Sequence, residues 1–234
     1  MKELLEANVP FKQIVIANDL EQDALTQEII SLAKEHHVPI ETRNMGKMEK
    51  RRSGKTREVI FGQVVIDASW TLDSLLKNIY AKDEHPFFLL VNRVDFESNI
   101  GVVARTAYAA GVNGLIFQGD DDFFINDETL HFSLGTLARI PIIKMGMFDA
   151  LKQLDKNGIP TYCLEMDGEP YYKKDLTGPA AFVLGAEAKG ISKEIAQRCT
   201  FRVSLPMQEG IDSLNVGVSA GVILYEKVRQ DLSG

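Results

Sequence analysis

The chain has 234 residues, 45% of them hydrophobic, with 26 Lys+Arg against 33 Asp+Glu, enough for one large or two modest domains with a sizeable core. A net charge of -7 argues against an indiscriminate nucleic-acid binder. No apolar run approaches the ~20 residues of a membrane span, and the opening "MKELLEANVPFK" lacks the apolar stretch of a signal peptide, so a cytoplasmic protein is expected.

In chain order, "QIVIAN" reads as a strand and "LEQDALTQEIISLAKEHH" as a helix with Leu25, Ile29, Leu32 and Ala33 on one face, followed by a short "VPIE". Next, "RNMGKMEKRRSGKTR" gathers Arg43, Lys47, Lys50, Arg51, Arg52, Lys55 and Arg57 around the single acid Glu49, a local positive patch. Residues 1–66 carry ten Lys+Arg and ten Asp+Glu, so the net acidity lies beyond them. Gly54-Lys55-Thr56 does not complete a P-loop, because the position five residues before Gly54 is Glu49 rather than glycine. "EVIFGQVVI" reads as a further strand, and a small α/β domain is expected over 1–66.

A helical connector over 67–86, "TLDSLLKNIYAKDEHP", leads to a second alternation over 87–234, with apolar runs "FFLLV", "GLIF", "PIIK", "PTYCL", "AFVLG" and "FRVSL". Helical stretches separate these runs, which predicts a parallel sheet covered on both faces. Cys163 and Cys199 lack CxxC spacing and the four histidines lack metal spacing, so neither a disulfide framework nor a metal site is expected. No GxGxxG follows a strand, which disfavours a dinucleotide site.

Three stretches fall where α/β proteins hold ligands, at the carboxyl ends of strands. In "ESNIGVVARTAYAAGVNGLIF", Asn99 can cap a helix start, and Arg105 follows among the small residues Ala104, Thr106 and Ala107. In "FVLGAEAKGIS", a buried strand runs into Gly185, Glu187 and Gly190, where glycines leave backbone N–H groups free for a ligand. In "VSLPMQEGIDSLNVGVSAGVILYE", a loop bends through Gly210 and Asp212 or Ser213 can cap the last helix, whose first turn offers free donors beside Ser213 and Asn215. Apolar residues run at helical spacing through Leu214, Val218, Val222 and Tyr225, yet Gly217 and Gly221 interrupt the helix at ~1 kcal/mol each relative to alanine. Small residues at that cost imply close backbone packing.

Together these stretches resemble the three motifs of the SpoU (TrmH-like) RNA ribose 2'-O-methyltransferases of the SPOUT superfamily. "NIGVVARTA" matches the first, "LGAEAKGIS" the second and "LPMQEGIDSLNV" the third, in the family's order and across residues 92–227. The resemblance implies an S-adenosylmethionine-dependent enzyme acting on RNA, ribosomal RNA first and transfer RNA as the alternative, and working as a homodimer without a metal. It implies a trefoil knot, where the physics of chain threading alone favours an open sheet, and a ribosomal-protein-like RNA-binding domain at the N-terminus. Carried over residue by residue, Gly185, Leu205, Met207 and Leu214 contact the cofactor, and Asn99, Arg105, Glu187, Ser213 and Asn215 form the catalytic set. Arg105 is the family's candidate base or substrate-orienting group. Ala188 stands where many relatives have glycine, and "RVDFES" lacks the family's common Asp-Pro. A competing reading is a catalytically idle RNA-binding assembly protein.

Overall fold

Alternation in "FKQIVIA" buries Phe11, Ile14 and Ile16 and makes Phe11–Ala17 the first strand, β1. The computed structural model describes residues 1–17, 23–43, 60–118, 124–185 and 190–233. It divides the chain into two units, Met1–Ile66 and Asp67–Gly234.

In the first unit, helices α1 (Lys2–Glu6) and α2 (Ala24–Glu35) accompany β1, β2 (Ile40–Arg43) and β3 (Ile60–Val64). The sheet order is β2-β1-β3, parallel between β1 and β2 and antiparallel between β1 and β3. Asp23 starts α2 by accepting the Thr26 N–H at 3.1 Å. The buried stripe of α2 is Thr26, Ile29 and Ala33, and Leu25, expected on that face, is 54% exposed. A helix capped at Asp23 turns positions 26, 29 and 33 inward, so a threonine takes the place read for leucine. The basic segment lies outside the described residues except for Arg43, which pairs with Glu41 at 2.6 Å.

The second unit opens with α3 (Leu72–Tyr80), which begins in a reciprocal cap between Thr71 and Ser74 and buries Leu72, Leu75, Leu76 and Ile79. These side chains join the core that Phe88, Leu90, Ile116, Cys163 and Val183 form in the sheet. The strands are β4 (Phe87–Val91), β5 (Gly114–Gln118), β6 (Ile142–Met145), β7 (Thr161–Pro170), β8 (Ala180–Leu184) and β9 (Phe201–Ser204), in the order β6-β5-β4-β8-β7-β9. Every pairing in this sheet is parallel. The two central strands, "FFLLV" and "AAFVL", are buried at every residue, as a sheet covered on both faces requires.

Helices α4 (Glu97–Ala109), α5 (Asp127–Phe132), α6 (Met147–Lys156), α7 (Lys193–Ala196) and α8 (Val216–Ser233) complete the unit. Strand β7 runs on past the expected "PTYCL" to Pro170. Its register against β9 slips between Leu164 and Glu169, so both Leu164 and Glu169 pair with Val203. The four residues between bulge out of the ladder. Gly168 must be glycine there, since a Cβ would lie 2.6 Å from the carbonyl carbon of Val203.

Helix α8 buries Val216, Gly217, Ala220, Ile223, Leu224 and Lys227. The apolar series read from sequence, Leu214, Val218, Val222 and Tyr225, lies away from that face, with Val218 51% and Tyr225 50% exposed. Gly217 has an intrachain cause, since a Cβ there would meet Val102 Cγ1 of α4 at 2.6 Å, whereas a Cβ on Gly221 would make only ordinary contact, 3.8 Å from Thr106 Cγ2. Lys227, only 2% exposed, pairs with Asp231 at 2.5 Å and lies 5.6 Å above the Phe87 ring. Gln230 accepts the Leu176 N–H at 2.7 Å and donates to the Lys174 carbonyl at 3.0 Å, fixing the far end of the helix.

Gly101 on α4 faces α5 as closely, its Cβ direction meeting the Ser133 nitrogen at 2.8 Å and the Phe132 carbonyl carbon at 2.9 Å. Backbone cannot swing aside as a side chain can. Gly101→Ala is expected to destabilise the fold by about 1–3 kcal/mol, the range for overpacking, seen as a lowered melting temperature. An unchanged melting temperature would show that α5 is free to shift.

Candidate active site

Parallel strands present their carboxyl ends on one side of a sheet, and the loops that leave β8, β7 and β9 therefore emerge together. They enclose a cavity of 590 Å³. Leu164, Glu165, Met166 and Asp167 come from the bulge of β7, and Leu184, Gly185, Gly190 and Ile191 from the end of β8 and the return of its loop. Leu205, Met207, Asp212, Ser213, Leu214, Val216 and Ser219 come from the segment after β9 and the start of α8.

All four residues expected to contact the cofactor, Gly185, Leu205, Met207 and Leu214, line this cavity, as does Ser213. Gly185 also has a packing role. A Cβ there would lie 2.6 Å from the Ile191 nitrogen, so the glycine lets the two ends of the loop pack back to back. Gly190 takes a positive φ of 60°, which suits glycine and closes the turn. Glu187 lies outside the described residues.

Asn99 and Asn215 are brought together across 116 residues of sequence, Asn215 Nδ2 donating to Asn99 Oδ1 at 2.9 Å. Asn215 Oδ1 accepts the Gly217 N–H at 2.9 Å, which makes Asn215 the cap of α8 in place of Asp212 or Ser213. Nor does Asn99 cap α4: that position is Phe96, with no side-chain cap, and Asn99 sits inside the first turn. Its orientation toward Asn215 is possible because Gly217 lets α8 approach α4. Arg105 is exposed on α4, one turn beyond Val102, and does not line the cavity.

Sequence reasoning missed the acidic side of the cavity. Arg202 of β9 donates to Asp167 and lies 2.7 Å from Glu165 Oε2, a charge contact whose N–H direction does not align as a hydrogen bond. The hydrogen bond from Arg202 holds the Asp167 carboxyl below its ordinary pKa. Asp212 adds a third carboxylate. "EMDG" directly follows an apolar run read as a strand, so the rule that ligands gather at strand carboxyl ends was the signal that could have found it. Behind the bulge, Cys163 is buried in the core, and a hydrogen bond with Cys199 together with burial pushes its thiol pKa up. Among the described residues no group of three or more His, Cys, Asp or Glu is arranged to hold a metal ion, and no helix is long and apolar enough to cross a membrane.

The SpoU rRNA Methylase family matches residues 86–225. The chain is 31% identical over 215 residues to a 23S rRNA (guanosine-2'-O-)-methyltransferase, RlmB, of Pseudomonas syringae, covering 89% of this chain and 84% of that one. RlmB of Pseudomonas putida is 30% identical over 225 residues, covering 94% and 88%. The SpoU methyltransferase AviRb of Streptomyces viridochromogenes, solved with its cofactor AdoMet, superposes with a TM-score of 0.79 at 25% identity, covering all of this chain and 88% of that one. The matched span contains all three motifs, the second and third of which line the cavity, and the chain belongs to the SpoU rRNA Methylase family.

Proposed function

We propose that the chain is an S-adenosylmethionine-dependent methyltransferase that modifies a ribose 2'-hydroxyl in ribosomal RNA. The observation that carries this reading is the convergence of the second and third motifs on one 590 Å³ cavity, within the ~300–1,000 Å³ of small-ligand sites. Its lining fits the cofactor. Leu164, Leu184, Ile191, Leu205 and Leu214 offer an apolar surface to an adenine ring. Glu165, Asp167 and Asp212 suit a ligand bearing a sulfonium and an ammonium group, with Arg202 offsetting part of their charge. When bound, S-adenosylmethionine supplies an electrophilic methyl group. The relatives named for guanosine 2'-O-methylation of 23S rRNA support ribosomal RNA as the substrate.

A ribose hydroxyl is a poor nucleophile until its proton begins to leave. A hydrogen-bond acceptor, in this reading the substrate phosphate, would take the proton as the oxygen–methyl bond forms and the sulfur–methyl bond breaks to leave a neutral thioether. In this reading Arg105 orients the substrate phosphate and hydroxyl, because a guanidinium stays protonated and cannot itself act as a base. Asn99 and Asn215 fix the start of α8 against α4, Ser213 faces the cofactor, and Glu187 belongs to the loop between β8 and α7. The family's trefoil crossing is part of the same reading. It is supported by the return of the chain from β9, at one edge of the sheet, to lay α8 on α4, and a chain trace from a crystal structure checks it. The compartment in this reading is the cytoplasm.

Labelled S-adenosylmethionine, offered with ribosomal and transfer RNA in separate pools, is expected to label ribosomal RNA at a ribose 2'-oxygen. Arg105→Ala should lower the rate about 10²–10³-fold, as loss of one positioned donor does, with cofactor affinity unchanged. Label in transfer RNA alone would move the substrate, and an active Arg105→Ala would remove the role given to that residue.

The exposed apolar series of α8 supports a homodimer through that face. Sedimentation at twice the mass of one chain is expected, and a concentration-independent monomer would refute it. The basic segment 43–57 is proposed as the RNA contact of the first unit. Each phosphate neutralised contributes roughly -0.7 to the slope of log affinity against log salt for single strands. Replacing Lys50, Arg51 and Arg52 with alanine should therefore flatten that slope by up to about 2 and leave cofactor binding intact. An unchanged slope would leave RNA recognition to the second unit.

A further inference from the structure

A methyl donor and its spent product present nearly the same surface to a binding site. S-adenosylmethionine and S-adenosylhomocysteine share an adenosine, an ammonium and a carboxylate, and they differ in one methyl group and in the positive charge of the sulfonium. Contacts to the shared parts cancel when the two affinities are compared. Discrimination between them therefore falls to groups that respond to the charge, whose reach exceeds that of a methyl contact.

The 590 Å³ cavity is biased in charge. Glu165, Asp167 and Asp212 line it, and among the described residues no lysine, arginine or histidine does. Arg202, shared between Glu165 and Asp167, offsets only part of that charge. The carboxylates are not equivalent. The Asp167 side chain is 76% exposed, so water screens it, whereas that of Glu165 is 18% exposed with its Oε2 withdrawn from solvent. The bulge that carries Glu165 is anchored at both ends, by the pairing of Leu164 and Glu169 with Val203 and by Ser204, whose hydroxyl donates to the Gly168 carbonyl at 2.9 Å. A charge fixed in this way needs no rearrangement to act on a ligand. We propose that Glu165 makes the cavity select for the positive charge of the donor, binding S-adenosylmethionine in preference to S-adenosylhomocysteine and so favouring release of the product after each transfer. The inference rests on the methyltransferase reading and adds a residue that sets the order of donor and product affinities.

The test is calorimetric titration of the full chain, without RNA, with three ligands: S-adenosylmethionine, S-adenosylhomocysteine and sinefungin, which carries a protonated amine in place of the sulfonium and has no methyl group to transfer. The wild type is expected to bind both cationic ligands about fivefold or more tighter than the neutral product, the scale of one unit-charge interaction in a partly hydrated site. Glu165→Gln should remove most of that margin while leaving S-adenosylhomocysteine affinity within about twofold, since the uncharged ligand loses no sulfonium contact and reports that the cavity is intact. Glu165→Asp, which keeps the charge, should retain the preference. Equal or tighter binding of S-adenosylhomocysteine by the wild type, or a margin unchanged in Glu165→Gln, overturns this proposal alone. Absence of binding by all three ligands overturns the cofactor reading and this proposal with it.

Discussion

Because β8, β7 and β9 run parallel and side by side, three loops distant in sequence must leave the sheet at the same end. The cavity depends on that constraint more than on any single contact. Residues 164–167, 184–185, 190–191 and 205–219 have no local reason to meet. Parallel pairing supplies one, and it also requires both faces of the sheet to be covered, which α3 and the other helices of the unit do with leucine and isoleucine. The bulge in β7 then turns Glu165 and Asp167 toward the space between the loops, where a regular ladder would have kept them paired with β9.

The close approach of α8 to α4 is the second condition. Without a side chain at 217, the two helices come near enough for Asn215 to donate to Asn99 while capping its own helix. One asparagine thus closes the tertiary contact and satisfies a backbone donor that the helix start would otherwise leave to water. The other end of α8 is held by different means, through the buried Lys227 and the two hydrogen bonds of Gln230 to the segment between β7 and β8. Removing Asp231 would leave the buried Lys227 ammonium without its partner, whereas Asp231 is open to water and would not suffer in the same way.

Charge is distributed by unit and by side. The first unit balances its acids and bases in composition, with the cations concentrated in residues 43–57, while the cavity of the second gathers three carboxylates around a space sized for a small ligand. Arg202 tempers that acidity, and it can do so because Cys163, paired with it in register, sits only two residues before Glu165. Cations and carboxylates are thus concentrated in different parts of the chain.

Several features were legible in the residues alone: the parallel α/β character, from buried apolar runs separated by helical stretches, and three ordered motifs that the family match contains. Gly185, Leu205, Met207 and Leu214, which the family resemblance singles out, all line one cavity. Other features required the folded chain. Periodicity marked Leu214, Val218, Val222 and Tyr225 as one helix face but could not say which face was inward, since that depends on where α4 lies. Leu25 was misjudged for the same reason, its helix being rotated by the cap at Asp23. The pairing of Asn99 with Asn215 and the acidic wall from the β7 bulge join residues through space. A local pattern fixes which element a residue belongs to, whereas partners across a sheet or between helices are set by packing, which acts on distances the sequence does not encode position by position.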